Sequence, residues 1–345
     1  MKPISKTVNR ATIKDIALRA GVSRSTVSRV LAGSPHVRAE KKTAVNRAIE
    51  EMNYRPSPVA RSLATGFSPT IQVIVSDVRN PVYAEMLRGV EDIARVSEYT
   101  VVVGNSDDSY ERELEYLHVA KENNVSGIIM ISAVGGRKVV EVLSDLARPV
   151  VLVNRLIPNY KTDAVVVDNE RGAYRATKYL LDLGHRKIFH LAGFKKSSAS
   201  YGRLQGFLKA MRETGLEVSS DSVVHGDLRI DSGESIGRQL VDEGLKYTAV
   251  FAANDQMAIG LMAAFASRDV RVPEDISLIG FDDMAYSGLP HIWLTTMRQP
   301  QYEMGKTAAR MLLERVKGET SEFRTAVFEC ELIERKTCTA PKGSE

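Results

Sequence analysis

The sequence predicts a small N-terminal all-α headpiece of helix-turn-helix type, followed by a larger two-lobed α/β domain with doubly wound parallel sheets. Three observations lead there. Positive charge is concentrated at the start of the chain, two short amphipathic helices meet at Gly21 inside that basic stretch, and from residue 70 onward short apolar runs alternate with amphipathic stretches of helical length.

A chain of 345 residues is long for one core, so two or three domains are expected. Residues 1–66 carry thirteen Lys and Arg against four acids, a net +9, whereas the remainder carries −5. That split is the electrostatic footprint of a module that meets a polyanion, nucleic acid being the commonest. No apolar run approaches the roughly 20 residues that span a bilayer. The basic MKPISKTVNR is followed by the charge-broken TIKDIALRA rather than the apolar core of a signal peptide, so a cytoplasmic location with no membrane partner is expected. Cys330 and Cys338 have neither CxxC spacing nor a nearby histidine, and no metal, disulfide framework or cofactor is expected.

Residues 1–10 read as a basic tail and 11–56 as the headpiece. Thr12 with Asp15 makes a TxxD capping box, and Ile13, Ile16, Ala17 and Ala20 recur at helical spacing up to the stop at Gly21. Ser23 caps a second helix whose inner stripe is Val27, Val30 and Leu31. Its opposite face carries Arg24, Ser25, Ser28 and Arg29, with Thr26 beside them. In a helix-turn-helix the start of the second helix reads base edges in the major groove, and small hydroxyls and arginines are residue types that do so. Taken alone, Arg24 and Arg29 could equally just solvate an exposed face. A third helix over 39–53 is expected to bury Val45, Ala48, Ile49 and Met52.

Residues 57–68 predict a hinge helix, capped by Ser57, started by Pro58 and stopped by Gly66. It falls short of the ~12–15 residues at which an isolated helix is even marginal, so it should fold only with a partner or in a DNA groove. Ala60, Arg61 and Leu63 suit a minor-groove helix with Leu63 as a wedge between base steps; the plainer alternative is a packed linker.

The body, 69–341, begins with the apolar runs 71–75, 100–104, 127–131 and 149–153. A second set at 164–167, 187–193, 249–253 and 276–282 follows, with the division between lobes near Asp168. Continuous apolar strands indicate parallel sheets covered on both faces, with ligands outside the carboxyl ends of the strands and between the lobes. Asp77, Asn80, Asn154, Arg155, Asn254, Asp255, Asp282 and Asp283 fall at those ends. Such side chains hydrogen-bond vicinal hydroxyls, and they also serve as helix caps and turn formers. Two catalytic look-alikes do not hold up. Gly305-Lys306-Thr307 lacks the first glycine of a phosphate loop, and Gly233-Glu234-Ser235-Ile236-Gly237 lacks a strand running into it, so it reads as helix surface; no enzyme is expected.

TIKDIALRAGVSRSTVSRVLAG followed by MNYRPSPVARSLATG resembles the headpiece and hinge of the lactose/galactose repressor (LacI/GalR) family. VSDVRNPVYAEMLRGVEDIA, SYGRLQGFLKAM, FAANDQMAIGLM and VPEDISLIGFDDM carry the resemblance through the body to about Ile333. It implies a body like the two-lobed periplasmic binding proteins, with lobe 1 about 69–167 plus 298–328 and lobe 2 about 168–297 plus 329–341. It also implies a DNA-binding set of Thr12, Ser23, Arg24, Ser25, Thr26, Ser28, Arg29, Ala60, Arg61 and Leu63. The effector cleft it implies is lined by Asn80, Val82, Tyr83, Arg155, Arg203, Leu228, Asn254, Asp282 and Gln299, with Arg203 and Asp282 as the clamp. Three departures from the family pattern stand out: Arg38 and Lys41 in place of the usual third-helix cap, Gln72 in place of Gly, and Glu98 at a left-handed position.

What the resemblance implies is a transcriptional repressor without enzymatic activity. As a homodimer it would bind a pseudo-palindromic operator in double-stranded DNA, and a sugar or sugar derivative would shift the lobes and hinge; the same cleft residues are also compatible with a purine or a sugar acid. A dimer is favoured over larger assemblies, since no heptad tail follows the last strand. The competing readings are a solute-binding protein of the same fold without a regulatory role, which lacks a reason for the basic headpiece, and an enzyme with a nucleotide in the cleft.

Overall fold

The computed structural model describes residues 11–31, 34, 36–52, 54 and 68–342. They fall into two compact units, one running to Thr70 and taking in 120–126, the other made of 71–119 and 127 onward.

In the headpiece, α1 (Ile13–Arg19), α2 (Arg24–Leu31) and α3 (Ala39–Glu51) surround a small core of Ile16, Ala17, Val27, Val30, Val45, Ala48 and Tyr54. Ile49 and Met52 pack only partly against it. The α1 cap is the predicted box: the Thr12 N–H donates to Asp15 Oδ2 at 2.8 Å while Thr12 Oγ1 accepts from the Asp15 N–H. Gly21 takes φ +64°, the left-handed turn that lets α2 start three residues later. The α3 N-cap, Arg38, makes no side-chain capping bond.

In the body, the first sheet has the order β11-β5-β4-β3-β1-β2, made from β1 (Ser68–Val75), β2 (Thr100–Asn105), β3 (Val125–Ile131), β4 (Val150–Val153), β5 (Asp163–Val167) and β11 (Thr325–Phe328). The apolar run 164–167 thus belongs to the first sheet and not to the second set of strands with which its sequence groups it. It pairs in parallel with both β4 and β11. Helices α4 (Pro81–Val96), α5 (Tyr110–Glu122), α6 (Arg137–Asp145) and α11 (Gln301–Val316) go with this lobe. Glu98 holds φ 62° just after α4, an arrangement that costs about 1 kcal/mol relative to glycine.

The second sheet is parallel throughout, β7-β6-β8-β9, from β6 (Ile188–Ala192), β7 (Val223–His225), β8 (Ala249–Ala252) and β9 (Ser277–Ile279). Its helices are α7 (Asn169–Asp182), α8 (Ser198–Glu213), α9 (Ile230–Asp242) and α10 (Asp255–Ala266). His190 lies in this core, stacked 4.9 Å from Phe207 and 4.7 Å from Phe251, with Nδ1 2.9 Å from the Phe251 carbonyl and Nε2 unpartnered. Burial lowers its pKa to about 4, so the ring is neutral.

The catalytic look-alikes both sit inside helices. Gly305 is in α11, and a Cβ there would stand 1.9 Å from the Met86 carbonyl oxygen of α4. Gly233 is in α9, where a Cβ would stand 2.2 Å from the Met257 oxygen of α10. Gly233 and Gly237 are therefore helix-packing positions rather than the exposed helix surface that the sequence suggested; only Ser235 between them is exposed.

The chain passes between the lobes three times. It leaves the first at Val167–Asn169, returns through β10 (Thr296–Arg298) and comes back through β12 (Glu331–Ile333). β10 and β12 form an antiparallel ribbon with Arg298 opposite Glu331. Beside it, Lys336 Nζ lies 3.8 Å over the Trp293 ring and its N–H donates to the Trp293 carbonyl.

Candidate functional sites: the second headpiece helix and the interlobe cleft

At the start of α2, Ser23 Oγ accepts from the Thr26 N–H at 3.2 Å and lies 2.8 Å from Ser25 Oγ and 2.9 Å from Thr26 Oγ1. Capping thus gathers three hydroxyls at one helix end. Val27 and Val30 face the core, Thr26 and Ser28 are half-buried, and Ser23, Arg24, Ser25 and Arg29 are exposed. Charge pairing separates these arginines from their neighbours. Arg19 and Arg47 both pair with Glu51, whereas among the described residues neither Arg24 nor Arg29 forms an ion pair. Two free guanidiniums beside a hydroxyl cluster can meet phosphates or base edges without first breaking a contact. Thr12 lies in the capping box of α1. Ala60, Arg61 and Leu63 fall outside the described residues.

In the body, the lobe 2 residues come together most closely, joined by Gln299 from the segment returning to lobe 1. Arg203, on α8, donates through Nε to Asn169 Oδ1 at 2.8 Å and through Nη1 to the Ala253 carbonyl, and its guanidinium lies 3.8 Å over the Phe281 ring. Nη2 stands 3.5 Å from Asp282 Oδ1, which also accepts from Gln299 Nε2 at 2.5 Å. All three side chains are buried. Burial, aided by Asp255, pushes the Asp282 carboxyl up to about 7 against the opposing pull of Arg203 and Gln299. Asn254 caps α10 by accepting from the Met257 N–H at 3.0 Å and donates through Nδ2 to the Leu228 carbonyl at 2.9 Å. Leu228 itself adopts φ 71°.

The lobe 1 residues are occupied differently. Asn80 caps α4, its Oδ1 accepting from the Val82 N–H at 3.0 Å, and Val82 and Tyr83 are buried in the following turn. Arg155 is buried and donates to Asp108 Oδ1 at 2.9 Å and to the Ser132 carbonyl at 3.1 Å, bracing two loops at the strand ends. Contacts across the lobes include the Leu156 N–H to Ser198 Oγ at 2.8 Å, and Arg229 Nη2 3.9 Å from Asp77 and 3.8 Å from Asp107.

Residues 12–57 match the family described as bacterial regulatory proteins, lacI family, and residues 177–338 match the periplasmic binding protein-like domain. Catabolite control protein A of Priestia megaterium is 36% identical over 310 residues, covering 90% of this chain and 93% of the relative. The chain belongs to the LacI family. The transcriptional repressor PurR of Photobacterium profundum is also 36% identical, over 330 residues that cover 95% of this chain and 98% of the relative. Among solved structures, the Lac repressor dimer bound to operator and the anti-inducer ONPF superposes with a TM-score of 0.82 at 29% identity, covering 96% of this chain and 100% of that one. The complex of the transcriptional regulator CelR with cellobiose gives 0.73 at 31%, covering 95% and 100%. This LacI-family member is accordingly a DNA-binding transcriptional regulator, with the headpiece and the two-lobed domain of its relatives.

This regulator also holds two polar groups that sequence reasoning did not single out, Ser76 and Ser132. With Asn154 they follow directly on β1, β3 and β4, three neighbouring strands, and Asn154 Nδ2 donates to Ser132 Oγ at 2.6 Å. Ser76 Oγ, Asn154 Oδ1 and Gln299 Oε1 are buried without a partner. Such atoms are costly to leave unpaired, so each calls for a partner, either water or a bound molecule. The available signal was positional: each of the two serines and Asn154 is the first residue after an apolar run. A cavity of about 890 Å³ opens nearby, among Tyr110, Val134, Gly136, Val140 and Pro158 of lobe 1 and Lys196 of lobe 2. It does not reach Arg203 or Asp282, which are packed against their own partners. The polar cluster, not the cavity, carries the chemistry a ligand needs.

Proposed function

We propose that this regulator is a homodimeric repressor whose α2 reads an operator half-site through Arg24, Ser25, Thr26, Ser28 and Arg29, with Ser23 and Thr12 positioning the helix ends. Its affinity for DNA is set by a small, sugar-like molecule held by Arg203, Asp282 and Gln299 from one side and by Asn80, Val82, Tyr83 and Arg155 from the other, with Asn254 and Leu228 shaping the wall. The observation that carries this reading is the buried Arg203–Asp282–Gln299 group, which ends in an unpaired Gln299 oxygen. A charged pair with a spare acceptor is built to exchange internal bonds for ligand hydroxyls.

The headpiece is assigned to 11–56, the hinge to 57–68 and the effector domain to 69–341. The hinge segment acts as an order–disorder switch, with Ala60, Arg61 and Leu63 in the minor groove. Dimerisation uses in part the edge strand β2, which leaves Val102 and Val103 exposed. No helix among the described residues is long and apolar enough to cross a membrane, and the regulator works in the cytoplasm without enzymatic activity.

The testing experiment is capture of genomic DNA fragments on the purified protein, followed by a screen of sugars for release or retention of the selected site. Recovery of a short palindrome, and a response that Asp282→Ala removes while DNA binding persists, is the expected result. Failure to enrich any sequence, with and without the sugars, would overturn the reading.

A further inference from the structure

Asp282 and Asp283 follow each other with φ 128° and φ 54°, both in the region that favours glycine. A strained pair of this kind persists only where its surroundings over-determine it, and here they do so from three sides. The Asp282 N–H donates to the Met297 carbonyl at 2.8 Å, and its own carbonyl accepts from Gln301 Nε2 at 2.5 Å. The backbone sends the two carboxylates to different partners. Asp282 meets Arg203 and Gln299. Asp283 Oδ2 accepts from Arg298 Nε at 2.7 Å, and its Oδ1 accepts from Arg335 Nη2 at 2.6 Å, with the Asp283 side chain 8% exposed.

Those partners lie on the segments that join the lobes. Arg298 ends β10, and Arg335 follows β12 by two residues. Arg335 is fixed further by its Nη1 on the Leu294 carbonyl at 2.8 Å and its N–H on Thr295 Oγ1 at 3.0 Å. The third crossover is reached through the neighbour: Asp282 faces Arg203, whose Nε holds Asn169 at the start of α7. One dipeptide therefore contacts two of the three segments whose backbone angles must change if the lobes turn, and reaches the third through Arg203.

We propose that Asp283 is a positioning residue for the effector response, its carboxylate riveting both returning crossovers to the loop that carries Asp282, so that the angle between the lobes and the placement of Asp282 change together. A ligand that draws on Asp282 then moves the crossovers through a single peptide bond rather than through a long chain of packed groups. With the rivet removed, the effector site and the DNA-binding face both remain, but the lobes sample a wider range of angles and the two sites are no longer linked. The functional consequence rests on the effector site proposed above; the mechanical one does not.

The test reads the mechanical part in the ligand-free full chain. Spin labels at the exposed positions Lys138→Cys in lobe 1 and Lys246→Cys in lobe 2, diluted with unlabelled protein, report the interlobe distance by pulsed electron resonance. Asp283→Asn, which keeps the shape and removes the charge, should broaden the distribution by about twofold. Arg298→Gln and Arg335→Gln should each give part of that broadening, and neither should add to Asp283→Asn. Glu331→Gln, which removes only the exposed partner 3.4 Å from Arg298, should leave the distribution as in the parent. A parental distribution for Asp283→Asn overturns the proposal. If that variant does not fold, parental distributions for both arginine variants overturn it instead. Loss of the sugar response in Asp282→Ala bears on the effector site alone and leaves this measurement untouched.

Discussion

In the headpiece, Arg24 and Arg29 stand in solvent with no ion-pair partner among the described residues, whereas in the cleft Arg155 and Arg203 are each within reach of a carboxylate and almost shut off from water. In the roles proposed above, the two regions meet their ligands by different physics. A free surface arginine gains what a phosphate or guanine offers and loses mainly hydration and rotamer freedom. A buried, paired arginine must give up an internal partner for each bond it makes to a ligand, so its net contribution to affinity is small and its contribution to rearrangement is large. The headpiece is built for adhesion and the cleft for exchange.

The largest effect expected from this contrast is on the cleft side. Arg203→Leu strands Asp282 and Asn169 in a dry site, and denaturant unfolding of the body should show a loss of roughly 3–5 kcal/mol. The double variant Arg203→Leu/Asp282→Leu should recover much of it, because no unpaired charge remains. Equal losses in the single and double variants would break the exchange picture.

Protonation gives the next effect. The His190 pKa is lowered from 6.5 to about 4 in the folded protein. Its contribution is therefore complete above pH 6.5 and is lost as pH falls toward 4, by about 3 kcal/mol. Asp282 is raised to about 7 and runs the other way, its contribution complete below pH 3.8 and lost as pH rises through 7. Stability curves of His190→Gln and Asp282→Asn measured against the parent should slope in opposite directions, and parallel curves would show that the two groups do not titrate as their burial dictates.

On the headpiece side, Arg29→Ala should weaken operator binding by about 1–3 kcal/mol without moving the unfolding of either unit, checked by fluorescence anisotropy and calorimetry. A change in body stability would mean that Arg29 is not free after all. The smallest effect is at the cap: Thr12→Ala should cost headpiece stability about 1 kcal/mol, read by thermal melting of the helix signal.

The same contrast decided how much could be read in advance. Thr12, Asp15, Gly21, Ser23 and the Val27–Val30 stripe are local features. A cap or a turn depends on residues three or four apart, so the headpiece was legible. The strands were legible as apolar runs, and the division near Asp168 left 164–167 in the first lobe; its grouping with the second set failed because its neighbours β4 and β11 are set by pairings as distant as Thr325 with Ala164. The strand-end list named Asp282 and Asn254. The cap that Asn254 forms was legible, because an asparagine stands directly before an apolar helix. That Arg155 braces loops and that Asp283 turns toward the crossovers was not, since each follows from backbone geometry of a kind that leaves no sequence pattern. His190 was hidden for the same reason, since a histidine in an apolar run says nothing of the two phenylalanines that enclose it.

Trp293 is the only tryptophan in the chain, and it carries the Lys336 ammonium 3.8 Å over its ring, two residues from Thr295 and beside the ribbon that joins the lobes. An indole under a cation emits differently from one left bare. Any slippage of 336 against 293 is thus written into the ultraviolet fluorescence of the unlabelled protein, which gives the hinge an optical gauge of its own.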